Sequence, residues 1–210
     1  MTTPNRLPAT IVVAAFVFAV LARRVTFGET TRFDASLRAA VHGWASPAFT
    51  RVMLAVTTLG SEIFLIALGA ILIWYLTATG RRRPAALLAA VSLSGELLLQ
   101  VLKVALHRPR PPVFFGLSPA ETYSFPSGHA FIATVFYGLL AGVFMAGEPS
   151  RRKRAVMAAM AVLASLAIGF SRVYLGYHYP TDVAGGWVLA VAWLALAKLA
   201  PPMVRKQPLG

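Results

Sequence analysis

The sequence predicts an all-α fold: a polytopic six-transmembrane-helix bundle with an interfacial amphipathic helix between the first and second spans. Three observations predict it. Of the 210 residues, 58% are hydrophobic and 13% charged, whereas a soluble domain is nearer half apolar and a quarter charged. The apolar residues are gathered into long runs, as membrane spans require. The basic residues sit in short clusters between those runs, where they act as topology signals.

The net charge of +13 therefore needs no nucleic acid to explain it, and no basic face with interleaved aromatics is present. Cysteine is absent, which excludes disulfides, a thiolate nucleophile and Cys-ligated metal. No internal repeat or low-complexity segment is seen, so one membrane domain over residues 1–210 is expected.

The first span is expected over about residues 7–25, after a short polar leader containing Arg6. Its apolar run, Leu7 to Ala22, is short and resembles a signal-peptide core. No A-x-A site precedes Arg23, however, and the segment is needed to complete six helices. Arg23 and Arg24 would snorkel at its end. Residues 28–52 are more polar, but Phe33, Leu37, Val41 and Trp44 recur every three or four positions. That period predicts an amphipathic helix starting near Thr31. It would serve either as a lid or lipid-entry ramp or as a connector that follows the surface, with His42 solvated or interfacial.

The second span is expected over about residues 59–79, closed by Gly80 and Arg81 to Arg83. The third covers about 84–107, with Pro84 in its first turn. A polar, proline-rich loop follows, and the fourth span covers about 127–147. A second basic cluster, Arg151 to Arg154, precedes the fifth span at about 155–173. The sixth covers about 180–200 and is stopped by Pro201 and Pro202.

Placing both termini in the cytoplasm puts eleven basic residues inside and nine outside. The two tight clusters are then inside. Under this topology the ends of the third and fifth helices and the starts of the fourth and sixth share the outer face. Three polar stretches lie at those four ends.

The first stretch supplies Lys103, one turn before His107, then Arg108 and Arg110. Pro109 and Pro111 stiffen the chain between and after these guanidinium groups. Arginine presents a planar fork that matches phosphate oxygens, and Arg172 adds another from the fifth helix. Ser127 and Gly128 open the fourth helix, where free N–H groups and the helix dipole favour an anion. Interfacial snorkelling accounts for the basic residues alone but not for the histidines beside them.

His178 precedes Asp182 by four residues, with Pro180 starting a helix between them. That spacing can bring the carboxylate to one imidazole nitrogen, which fixes the tautomer and makes the other nitrogen a better nucleophile. His129, in the first turn of another helix, is placed to act as general acid toward a leaving oxygen. His129, His178 and Asp182 could also converge on a metal, but the surrounding cations would oppose a divalent ion. Glu96 and Gln100 lie on the face of the third helix that carries Lys103. Glu96 would be either a deep carboxylate tuning Lys103 or touching substrate, or a hydrogen-bonded structural group.

Lys103-x6-Arg110-Pro111, Pro126-Ser127-Gly128-His129 and Ser171-Arg172-x5-His178-x3-Asp182 resemble the three-part signature of the type 2 phosphatidic acid phosphatase superfamily. Order and spacing match at every motif position, over about 80 residues. The resemblance implies a metal-independent phosphohydrolase without cofactor, acting through a phosphohistidine. It implies His178 as nucleophile, Asp182 as its orienting partner and His129 as proton donor. It implies that Lys103, Arg110, Ser127, Gly128 and Arg172 hold the phosphate. Arg108 and Glu96 lie outside the strict pattern and would be auxiliary.

The expected function is removal of phosphate from a lipid phosphate or pyrophosphate at the outer boundary of the plasma (inner) membrane. Candidate substrates are undecaprenyl pyrophosphate, phosphatidylglycerophosphate, phosphatidic acid and lipid A. Membrane lipids are the expected surroundings, with no nucleic acid and no obligate protein partner. A lipid phosphotransferase using the same phosphohistidine is an alternative. So is a non-enzymatic anion or lipid transporter, although transporters place polar groups near the midplane.

Overall fold

The chain was analysed as a computed structural model that describes residues 7–199. Its elements are α1 (Leu7–Thr26), α2 (Thr31–His42), α3 (Pro47–Thr58), α4 (Glu62–Ala78), α5 (Arg82–Leu106), α6 (Gly128–Met145), α7 (Arg151–Tyr174) and α8 (Pro180–Ala197). No strand occurs among the described residues. Arg6, Pro201, Pro202, Arg205, Lys206 and the last residue of the expected sixth span lie outside them.

Five of these helices (α1, α5, α6, α7 and α8) are long and apolar enough to cross a membrane. The candidate for a sixth crossing is a pair. α3 and α4 meet at a 45° bend and pass the same test only together. The expected second span therefore corresponds to α4, and the expected single amphipathic helix divides into α2 and α3. Local chemistry explains both breaks. Ser46 caps α3, accepting from Phe49 N at 3.2 Å, and Pro47 occupies the first helical position, where no N–H is required. Ser61 caps α4 in the same way, accepting from Phe64 N at 3.3 Å.

The basic clusters lie inside helices rather than between them. Arg82 and Arg83 start α5, and Arg151 to Arg154 form the first turn of α7, capped by Ser150. Both helices are consequently longer than the apolar runs alone indicate. At 25 residues, α5 measures about 37 Å at 1.5 Å per residue.

α6 is the central post, packed between α7 and α8; α1 lies along α8, α4 along α5, and α3 along α7. The main core joins Leu65, Leu88, Leu99, Phe131, Val135, Leu139 and Leu189. Large apolar residues face outward on the other sides, among them Phe16, Ile63, Ile66, Leu93 and Leu163. An apolar surface on this scale calls for lipid. Small residues allow close helix crossings. At Gly186, on α8, an added Cβ would lie 2.7 Å from the Ser127 carbonyl oxygen and 3.2 Å from Phe131 N. That glycine sets how closely α8 approaches the start of α6.

Candidate active site

The C-terminal ends of α5 and α7 and the N-terminal ends of α6 and α8 meet at one end of the bundle. A second apolar cluster floors this end: Met53, Ala130, Val173, Tyr174, Leu175 and Val183. Above it, Ser127 N donates to the Asp182 carbonyl at 2.9 Å, locking the start of α6 to the start of α8. The three polar stretches singled out in the sequence come together here.

His178 lies in the turn between α7 and α8 and is 2% exposed. Its Nδ1 is 3.4 Å from Asp182 Oδ2, and its Nε2 faces Arg110 Nη1 at 3.2 Å. An arginine can only donate. The contact therefore requires a lone pair on Nε2 and a proton on Nδ1, on the Asp182 side. Burial, opposed by Asp182 and reinforced by Arg110 and Arg172, pushes the His178 pKa down to about 4. The ring is neutral at pH 7, with its free lone pair directed at a guanidinium.

Arg110 is positioned by the loop. Its Nε donates to the Thr122 carbonyl at 2.6 Å, Nη2 to Thr122 Oγ1 at 2.8 Å and Nη1 to the Tyr177 carbonyl at 3.0 Å. Burial lowers the pKa of Arg110. Lys103 Nζ reaches the same Thr122 hydroxyl at 3.5 Å. It also lies close to α6: a Cβ built on Gly128 would be 3.7 Å from Nζ. Arg172, 7% exposed, donates from Nη1 to Thr57 Oγ1 at 2.9 Å and stacks over the Tyr177 ring at 4.0 Å.

His129 occupies the first turn of α6, half-buried, within electrostatic reach of Arg172, His178, Lys103 and Arg110. The elbow between α3 and α4 packs against it: a Cβ on Gly60 would lie 3.4 Å from His129 Cδ2. Ser127 is fully buried, and its Oγ has no hydrogen-bond partner. Arg172 Nε is likewise buried and unpartnered. Buried polar atoms are nearly always satisfied. Two unused donors beside three cations can hold an oxyanion.

Two expectations change. Arg108 does not join the cup. Its Nη1 donates to Asp182 Oδ1 at 2.5 Å and Thr181 Oγ1 at 2.8 Å, and its Nη2 to Asp34 Oδ2 at 2.7 Å. Burial works against its charge, but Asp182 and Asp34 outweigh that and raise its pKa. Glu96 accepts from Gln100 Nε2 at 2.5 Å, as a hydrogen-bonded group would, and is also within electrostatic reach of Lys103. The backbone N–H of Ser127 is also committed, to Asp182, so only later first-turn N–H groups of α6 are open to an anion.

Several residues went unnoticed in the sequence because no motif marks them. Thr57, Thr122 and Asp34 each touch a predicted site residue from elsewhere in the chain, and Tyr177, beside His178, lies under the Arg172 guanidinium. Ser124 Oγ donates to Asp182 Oδ2, which also accepts from Tyr179 N at 2.8 Å. His42 is half-buried and stacks on Phe114 at 3.8 Å between ring centroids. Gly176, at φ +86°, sits where a Cβ would come within 2.7 Å of Phe114 N. Only glycine suits both that backbone and that approach.

Residues 84–206 match the PAP2 superfamily. Phosphatidylglycerophosphatase B of Bacillus subtilis is 33% identical over 187 residues, 86% of this chain and 89% of that protein. Undecaprenyl-diphosphatase of Sulfolobus acidocaldarius is 32% identical over 104 residues, 47% of this chain and 46% of that protein. The crystal structure of a transmembrane PAP2-type phosphatidylglycerolphosphate phosphatase from Bacillus subtilis superposes with a TM-score of 0.84 at 29% identity, covering 90% of this chain and 94% of that one. A cationic cup with two histidines at one end of a membrane bundle, and a match that covers more than half of the chain, lead to one assignment: this protein belongs to the PAP2 superfamily and is an integral-membrane lipid phosphatase.

Proposed function

We propose that the protein hydrolyses a lipid phosphate by a metal-independent, phosphohistidine route, with phosphatidylglycerophosphate as its first candidate substrate. One observation carries the mechanism: His178 is held neutral between Asp182 at Nδ1 and Arg110 at Nε2, beside the unused donors Ser127 Oγ and Arg172 Nε. The substrate preference follows the long match to phosphatidylglycerophosphatase B, which covers most of both chains.

The phosphate enters the cup against Lys103, Arg110, Ser127, Arg172 and the first turn of α6 at Gly128. Nε2 of His178 attacks phosphorus in line, forming a P–N bond as the bond to the lipid oxygen breaks. His129 gives that oxygen its proton. The negative charge of the phosphate supplies the counterion that an imidazolium at His129 needs among so many cations. The Nδ1 proton stays on His178, and Asp182 stabilises the resulting cationic phosphoimidazole. Water, deprotonated by His129, then breaks the P–N bond and frees inorganic phosphate. Lys103, Arg110 and Arg172 stabilise the charge on the equatorial oxygens in both steps.

A divalent metal would need converging acidic or imidazole ligands. Among the described residues no group of three or more His, Cys, Asp or Glu is placed to hold one. The reading extends to topology: both termini cytoplasmic, the cup at the outer boundary of the inner membrane.

The test is phosphate release by purified protein from phosphatidylglycerophosphate, undecaprenyl pyrophosphate, phosphatidic acid and lipid A, with EDTA present. Turnover should survive EDTA, be highest on phosphatidylglycerophosphate and vanish in His178→Ala. A rapid quench with labelled substrate should trap an acid-labile, alkali-stable phosphoprotein. Turnover in His178→Ala, or a need for added Mg²⁺, would overturn the mechanism.

A further inference from the structure

The amphipathic helix α2 turns a polar stripe inward. Asp34 is its most buried member, with no solvent exposure, and the chemistry above makes no use of it. Its Oδ1 accepts from Thr181 N at 3.0 Å, and its Oδ2 from Thr181 Oγ1 at 2.7 Å and Arg108 Nη2 at 2.7 Å. The other arm of that guanidinium, Nη1, reaches Asp182 Oδ1 at 2.5 Å. One planar fork thus bridges two buried carboxylates, a geometry that suits arginine and that lysine cannot reproduce. Arg108 is covered as well, with Cζ 4.1 Å from the Tyr179 ring centre.

The bridge acts on the nucleophile. Asp182 Oδ2 is occupied by Tyr179 N and Ser124 Oγ and faces His178 Nδ1. Oδ1 is therefore the edge that Arg108 holds, and Arg108 fixes the rotation of the carboxylate. Charge matters too. Asp182 and Arg108 alone cancel, leaving little to offset a positive imidazole. Asp34 restores one negative charge to the group. His178 is otherwise faced by Arg110 from the loop, Arg172 on α7 and His129 on α6, so that charge is not supplied elsewhere.

We infer that Asp34 is a positioning residue for the phosphatase reaction: through Arg108 it holds the Asp182 carboxylate at His178 Nδ1 and supplies the negative charge that a cationic phosphoimidazole needs. This rests on the assignment of His178 and Asp182 proposed above. It gives α2 a part in catalysis without contact with substrate.

The experiment is Asp34→Asn, assayed as purified protein on phosphatidylglycerophosphate across pH. The expected kcat is lower by about 10- to 100-fold with KM within about threefold, as for loss of transition-state alignment. The acid limb of kcat/KM should move to lower pH by about half a unit to one unit, because removing a nearby anion disfavours the imidazolium. Asp34→Glu should recover most of the rate. Thr181→Val removes a hydroxyl partner of Asp34 but leaves every charge, so its acid limb should stay in place. An unchanged kcat in Asp34→Asn, or a lower kcat with an unmoved acid limb, overturns the inference.

If Asp34→Asn is not recovered folded, Arg108→Lys decides. It keeps the charge and loses the fork, so kcat should fall at unchanged KM. A raised KM at unchanged kcat would return Arg108 to phosphate binding and overturn the inference. His178→Ala is measured alongside. Turnover there defeats the nucleophile assignment itself, whereas a dead His178→Ala with a normal Asp34→Asn defeats this inference alone.

Discussion

Thr57 Oγ1 accepts a hydrogen bond from Arg172 Nη1 at 2.9 Å, tying the last turn of α3 to the last turn of α7. The bent α3–α4 pair is therefore a wall of the cationic cup as well as the candidate sixth crossing. Thr57→Val keeps the shape and removes the acceptor. A net hydrogen bond to a charged group is worth about 1.5–3 kcal/mol. Part of that loss should appear as a KM raised roughly three- to tenfold, with a smaller change in kcat. Steady-state kinetics on phosphatidylglycerophosphate check it; an unchanged KM would separate α3 from phosphate binding.

The pH profile carries a signed expectation. Burial pushes His178 down from 6.5 to about 4, so its free nitrogen stays available well below the ordinary histidine range. As pH falls, kcat/KM should hold through pH 6 and decline only near pH 4 to 5. Asp182→Asn removes a charge that favours the imidazolium and takes away the partner at Nδ1. It should lower kcat by roughly 10³–10⁴-fold, as for the orienting carboxylate of a catalytic triad. An acid limb centred near 6.5 in the unaltered protein would contradict the buried, neutral nucleophile.

Gly186→Ala tests the close crossing of α6 and α8. The new methyl group would meet the Ser127 carbonyl oxygen at 2.7 Å, and backbone cannot move aside as a flexible side chain can. Overpacking of this kind costs about 1–3 kcal/mol. Because the clash falls on the residue before Gly128 and His129, activity should drop more than melting temperature alone accounts for. Thermal unfolding in detergent, run beside the phosphate assay, gives both quantities.

The absence of cysteine makes topology directly testable. Ala120→Cys, exposed in the loop beside the site, should react with an impermeant maleimide added outside spheroplasts. Ala146→Cys, exposed at the opposite end of the bundle, should react only after lysis. The reverse pattern would place the cup on the cytoplasmic side.

Much of the site was legible in the chain. Lys103, Arg110, Ser127, Gly128, His129, Arg172, His178 and Asp182 stand at fixed spacings beside helix ends, and helix counting alone puts those ends together. The apolar runs marked the crossings for the same reason: lipid cannot hydrogen-bond a backbone, so each span must be a long apolar helix. The second crossing was harder to read. Its start depends on Ser46 and Pro47 and its break on Ser61, whose capping is local and small beside the hydrophobic signal.

By itself, the sequence determined which residues could do phosphate chemistry and that they would share one end of a membrane bundle, because helix direction alternates at every crossing. Only the tertiary structure decided which polar groups meet in the cup and which pair elsewhere. Arg108 and Arg110 are two residues apart, yet one is spent between Asp34 and Asp182 while the other faces His178. Asp34 belongs to no motif and is fully buried. Side-chain pairing across 70 or more residues depends on which helix faces meet, and local spacing carries no information about that.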